Sequence, residues 1–276
     1  MIIDAHVHVH TPETIRDWKD IAESEPYFGL LAGGKVQRWA TAADVLAAMA
    51  QDGIDESWIC GFAFNDLGRC REANDYVLEA CAGSGGRLRP LCVVPPLARG
   101  AAAEVERCAA LGAIGVGELF PDGQVWCVDD VRETWRLAAV CHENSLFLSV
   151  HAAEPVGRDY PGKGRTGPRE LFALARNHPE LRILMAHLGG GLFLYETMAD
   201  AELELQNVYY DIAALPFLYD ARMLSAAMAI VPQKLLYGSD FPILRYPRYR
   251  AAIEGTVNGG GTAALFSENA RRMTAF

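Results

Sequence analysis

Short apolar runs alternate with longer amphipathic stretches along this chain, and that alternation is its dominant pattern. IIDAHVHVH (2–10) opens it as a buried strand, since Ile2, Ile3 and Ala5 are apolar and Val7 and Val9 are β-branched. A long polar connection follows over 11–40, of the kind that serves as a lid or binding loop; a surface insertion with some helix is the equal alternative. Thr41 reads as the N-cap of a helix through Ala50, with Asp44 in its first turn. Next, SWICGFAF (57–64) precedes a helix over 68–82, LRPLCVV (88–94) one over 99–110, and GAIGVGELF (112–120) one over 129–142. LFLSV (146–150) leads through a basic, Gly/Pro-rich loop to a helix over 168–176, and LRILMA (181–186) precedes one over 192–204. VYYDI (208–212) precedes a helix over 219–229, and KLLYGSD (234–240) a last one near 246–257. Eight strands, each followed by helical pattern, predict an α/β (β/α)8 TIM barrel as one domain over 1–276. It carries a lid-like insertion after strand 1 and a C-terminal helix from SENARRMTAF (267–276). An open sheet with one misread strand, or a seven-stranded barrel, is the alternative.

Composition sharpens this in three ways. Hydrophobic residues at 51% and charged residues at 22% allow a large core and exclude a disordered chain. With 25 basic against 35 acidic residues the net charge is −10, which argues against general nucleic-acid or anionic-membrane binding. The seven cysteines are scattered without a CxxC, several in apolar runs, as expected of buried free thiols in a reducing cytoplasm. No basic-then-apolar leader and no apolar run near ~18 residues is evident, so a cytoplasmic protein without a membrane span is expected.

In such barrels chemistry sits at the C-terminal ends of the strands. His6 and His8, two apart, project to one side of the first strand; His10 would continue that face, but Thr11-Pro12 ends the strand. Glu118 falls at the end of strand four, His151 after strand five, His187 after strand six and Asp240 after strand eight. Any one of these is more often a capping or core residue. Chance would scatter them over both rims, and only His142 and His178 lie elsewhere, in structural positions. Imidazoles and carboxylates on one rim suit a divalent ion, either one with a separate base or two.

These residues resemble a known group. HxH on the first strand, His on the fifth and sixth, and GSDFP on the eighth resemble the amidohydrolase superfamily. Its amidohydrolase-2 branch, which includes aminocarboxymuconate-semialdehyde decarboxylase-like proteins, is the closer match. ATAADVLAAMAQDGID (40–55), NVYYDIA (207–213) and SENARRM (267–273) add softer support. The resemblance implies that His6, His8, His151 and Asp240 hold the metal, with His187 the catalytic histidine and Asp240 sharing the base role. The lysines (19, 35, 163 and 234) lie away from strand four, so the carboxylated-lysine chemistry of binuclear members is absent. Glu118 stands there instead and resembles the metal-bridging glutamate of TatD-like nucleases; a hydrogen-bonding role is the equal alternative. Zinc is expected ahead of manganese or another divalent ion, and one ion ahead of two.

The expected reaction is hydrolysis of a C–N or C–O bond in a small organic substrate by metal-activated water, with His187 and Asp240 as proton carriers. Non-oxidative decarboxylation of a small carboxylic acid is the alternative. Phosphodiester hydrolysis and a non-catalytic metal-binding barrel stand behind both. Lys163 and Arg165, in a loop with Arg158 and Arg169, are candidates to clamp a substrate carboxylate, although a solvated loop is the blander reading. Glu154 and Asp211 are candidate supports for a ligand, and Trp39, with Tyr27 and Phe28, a candidate roof. Relatives often dimerise, so a homo-oligomer is expected.

Overall fold

The computed structural model describes residues 1–257 and 260–275. Its strands are β1 Ile3–His8, β2 Glu56–Cys60, β3 Leu88–Cys92, β4 Gly115–Leu119, β5 Phe147–Val150, β6 Ile183–Met185, β7 Val208–Asp211 and β8 Leu235–Leu236. All pairings are parallel, and the strands neighbour one another in chain order. Backbone bonds close the ring: Ala5 N–H donates to the Tyr237 carbonyl (2.9 Å) and His8 N–H to the Phe241 carbonyl (2.7 Å). The eight-stranded barrel therefore stands, and the open sheet and the seven-stranded barrel do not. Helices cover the outside, so the strands are buried on both faces and read as continuous apolar runs rather than alternating ones.

Thr41 caps the helix Ala42–Asp52 as expected, its hydroxyl accepting from Asp44 N–H while the Asp44 carboxylate accepts from Thr41 N–H at 2.8 Å. Several strands stop before their apolar runs do. Phe62, Ala63 and Phe64 are buried beyond the end of β2, because apolar character reports burial rather than ladder pairing. The helix expected over 192–204 is confined to Ala199–Glu204. Ahead of it, His187–Thr197 winds through 3₁₀ turns in which Leu188 to Gly191 take left-handed φ values of 58–100°. Gly190 passes so close to β5's following loop that a β-carbon would lie 2.2 Å from the Ala153 carbonyl oxygen.

The insertion after β1 is helical rather than an irregular polar loop: Pro12–Arg16, Trp18–Ser24 and Pro26–Ala32. It is anchored in the core. The Phe28 ring lies 5.0 Å from Phe62 and 5.1 Å from Phe64. The buried Glu25 carboxylate accepts from the N–H groups of Asn65 (3.0 Å) and Asp66 (2.8 Å). At the other end, a π-turn Ala264–Glu268 runs into the helix Asn269–Thr274, whose Ala270 and Met273 are buried; Phe276, the last residue of the expected terminal helix, lies outside the described residues. No helix among the described residues is long and apolar enough to cross a membrane.

Candidate metal centre

Six of the rim residues meet in the barrel mouth because each sits where its strand ends. His6 and His8 point the same way from β1, and Glu118 comes from β4. Gly117 lets β4 press against β5: at φ 127°, a β-carbon there would stand 2.2 Å from the Ser149 carbonyl oxygen. His187 and Asp240, just past β6 and β8, both take left-handed φ values, 54° and 59°. Such a conformation costs on the order of 1–3 kcal/mol for a residue with a side chain and persists where neighbouring bonds impose it. Here the Asp211 carboxylate accepts from His187 N–H at 2.9 Å, and Asp240 N–H donates to the His6 carbonyl at 3.0 Å.

The side-chain atoms form two adjoining sets of three, His6/His8/Asp240 and Glu118/His151/His187. In the first, the Nε2 atoms of His6 and His8 are 3.0 Å apart and lie 3.8 and 3.7 Å from Asp240 Oδ1. In the second, His151 Nδ1 and His187 Nε2 are 3.2 Å apart and lie 3.0 and 3.4 Å from Glu118 Oε1. The other Glu118 oxygen faces the first set, 3.3 Å from His6 and 3.2 Å from His8. Ligands at 2.0–2.2 Å around a tetrahedral ion are themselves separated by about 3.3 Å. The donor set therefore fits a divalent cation in chemistry and in spacing, and Glu118 lies between the two sets.

Burial and mutual charge shape these groups. Burial lowers the basicity of His6, but Glu118 and Asp211 outweigh it and leave its pKa well above the ordinary imidazole value. His187 behaves alike: burial opposes, the Glu118 bond and charge prevail, and the pKa is raised to about 9. For Glu118 burial opposes ionisation, but His6 and His151 hold its pKa well below the carboxylate range. A cation entering between these groups must displace imidazole protons, which couples its affinity to pH.

What lies behind each imidazole sets its orientation. His6 Nδ1 is 2.9 Å from the wholly buried Asp211 carboxylate, and His187 Nδ1 is 3.0 Å from the Ala213 carbonyl. Each Nδ1 donates its hydrogen to that oxygen, so the neutral form of each ring presents the Nε2 lone pair to the cluster. His151 Nε2 is buried without a partner. Above the cluster the buried Phe120 ring lies nearly parallel to His8 (6.3 Å, 23°) and to Phe62 (5.2 Å, 25°), with Tyr27 5.7 Å away.

Other expected site residues go elsewhere. Lys163 donates to the carbonyls of Val156 and Arg158 in its own loop, both at 3.1 Å. Arg165's side chain is 96% exposed, its Nε 3.4 Å from Asp122, so a clamp would require it to turn inward. Trp39 is half-buried beside His10 (4.9 Å, edge-on), and Phe28 is in the core; of the aromatic roof only Tyr27 reaches Phe120. His10 does not continue the face of His6 and His8, because β1 ends at His8; burial, and then His8, push its pKa down to about 3. Asp211 proves to be a partner of a rim histidine, as weighed above. Phe120 and Cys60 were missed; the one signal for Phe120 was its place directly after β4, two residues beyond Glu118.

The model of the amidohydrolase family matches residues 3–274. No curated protein sequence matches the chain. Among solved structures, 5-carboxyvanillate decarboxylase from Sphingomonas paucimobilis is similar at a TM-score of 0.77 and 15% identity, covering 99% of this chain and 98% of that one. A dihydroxybenzoic acid decarboxylase from a Polaromonas species, with bound manganese and an inhibitor, gives 0.72 and 17%, covering 99% and 96%. A putative amidohydrolase from Staphylococcus aureus gives 0.75 and 14%, covering 100% and 99%. At these identities the likeness to each structure is one of fold.

Proposed function

The chain belongs to the amidohydrolase family, and from that premise we propose that it is a divalent-metal-dependent decarboxylase of a small aromatic carboxylic acid. The observation that carries this reading is the cluster of imidazoles and carboxylates at the barrel mouth with the apolar Phe120 ring packed against it, so that an ion at a substrate's carboxylate edge would lie beside an aromatic wall. Whole-length likeness to two aromatic decarboxylases, one of them holding manganese, supports it and puts manganese beside zinc as the candidate ion.

His6, His8, His151 and Asp240 would hold the cation, with Glu118 between the two halves of the set. When bound, the cation supplies Lewis-acid polarisation of a substrate oxygen. Loss of carbon dioxide breaks the bond between ring and carboxylate, leaves the electron pair on the ring carbon and requires one proton there. His187 is arranged to hold that proton on Nε2, since its Nδ1–H is committed to the Ala213 carbonyl. Asp240, on the opposite side of the cluster, is the second proton carrier. Solvent restores the proton after each turnover.

Hydrolysis of a C–N or C–O bond is the second reading. Glu118 would favour it, because one of its oxygens faces each ligand set, and the two sets together could hold a second ion that would help to activate water. Manganese-loaded protein incubated with 5-carboxyvanillate or a dihydroxybenzoate separates the two. Carbon dioxide release, lowered roughly 10²–10⁴-fold in His187→Gln, supports the decarboxylase. Turnover of amide, ester or lactone probes, with no carbon dioxide from any carboxylated phenol, refutes it in favour of the hydrolase.

A further inference from the structure

The imidazoles of the cluster are not supported alike. His6 rests on a carboxylate and His187 on a carbonyl, both oxygen acceptors. His8 rests on sulfur: its Nδ1 lies 3.3 Å from Cys60 Sγ. The contact follows from strand pairing, because His8 and Cys60 are register partners on the adjacent strands β1 and β2. Cys60 is buried, and its thiol lies 3.6 Å from the Val7 carbonyl oxygen, so it can accept from His8 and donate to the backbone of β1. Among the described residues, none of the other six cysteines hydrogen-bonds an imidazole. The bland account of Cys60, a small apolar filler, explains its burial but not a sulfur aimed at the ring nitrogen opposite the ligand atom.

We infer that Cys60 is a positioning residue for His8, fixing its ring so that Nε2 faces the metal cluster. The inference rests on the metal-centre reading above. Sulfur is the weaker acceptor, so His8 is held less firmly than His6 and lends less basicity to its ligand atom. Of the three imidazoles with a partner behind the ring, His8 is thus the compliant one, and it lies next to the Phe120 ring.

Purified wild-type protein, Cys60→Ala and Cys60→Ser are stripped with chelator and titrated calorimetrically with manganese, and the visible spectrum of each is recorded with cobalt(II). Cys60→Ala is expected to bind manganese about tenfold to hundredfold more weakly than wild type, the range found when a ligand's supporting partner is removed. Its cobalt bands should shift, and Cys60→Ser, which keeps a hydrogen-bonding atom, should recover part of both. A filler role predicts the reverse: unchanged affinity and spectrum in a folded Cys60→Ala, which overturns the inference. Should Cys60→Ala fail to fold, Cys60→Val, which fills the space without a hydrogen-bonding atom, decides: an affinity and cobalt spectrum equal to wild type overturn the inference, and weaker binding with shifted bands supports it. Wild-type protein that takes up neither ion overturns the metal-centre reading, and the role of Cys60 with it.

Discussion

Replacing Asp211 by asparagine tests the organisation of the centre with the smallest change of shape. The carboxylate is wholly buried and takes three hydrogen bonds: His6 Nδ1 (2.9 Å), His187 N–H (2.9 Å) and Ala213 N–H (3.0 Å). Burial opposes its ionisation, but His6 and His187 hold its pKa below the ordinary value, so it is a carboxylate at neutral pH. In Asp211→Asn the amide oxygen can keep both backbone donors. The amide nitrogen then faces His6 Nδ1, donor against donor, unless the ring moves its hydrogen to Nε2. That tautomer removes the lone pair His6 would offer a cation. Loss of such a partner typically weakens metal binding 10–100-fold, about 1.4–2.7 kcal/mol. The fold should lose less than the 3–5 kcal/mol of a broken buried ion pair, because two of the three bonds survive. Calorimetric titration with manganese reads the affinity, and a urea melt of the same preparation reads the fold. An affinity within threefold of wild type, in a folded variant, would refute the claim that Asp211 fixes the tautomer of His6.

Three further outcomes are expected. Gly117→Ala should destabilise by roughly 2–6 kcal/mol, combining left-handed strain with the clash against Ser149, and an unchanged urea midpoint would count against the close β4–β5 approach. Glu104 is buried, and although burial opposes its ionisation, Arg107 and Asn74 bring its pKa down to about 2 from 4.5. Because the folded value is the lower one, its stabilisation, at most about 3 kcal/mol, is complete above about pH 4.5 and is lost as the pH falls toward 2. Glu104→Gln should therefore flatten the acid limb of the stability profile, and an unaltered limb would show that other groups set it. Manganese added to chelator-treated protein at about a hundred times its dissociation constant should stabilise it by about 2.7 kcal/mol, or roughly 5–10 °C in Tm. A melt that does not respond would mean that the cluster offers no preformed cation site.

The strand count and the rim histidines were legible in the sequence because both depend on local pattern. A strand's apolar run marks burial, and a polar residue at its end marks the mouth of the barrel, so His6, His8, Glu118, His151, His187 and Asp240 could be named from position alone. Charges in a loop carry no such constraint, and Lys163 and Arg165 turn to their own loop and the surface. Periodicity likewise does not show where a helix begins when glycines precede it, as at Gly189–Gly191.

What the sequence determined by itself was therefore the kind of barrel and the donors at its rim, since spacing of two along a strand, or the end of an apolar run, decides on which side a residue lies. What only the tertiary structure decided was who faces whom. Glu118 between two ligand sets, Asp211 behind His6 and Cys60 behind His8 join residues 33 to 205 positions apart, and their separations depend on how the strands close into a ring. Local chemistry proposes such partners; ring closure and packing bring their atoms within 3 to 4 Å and so select among them.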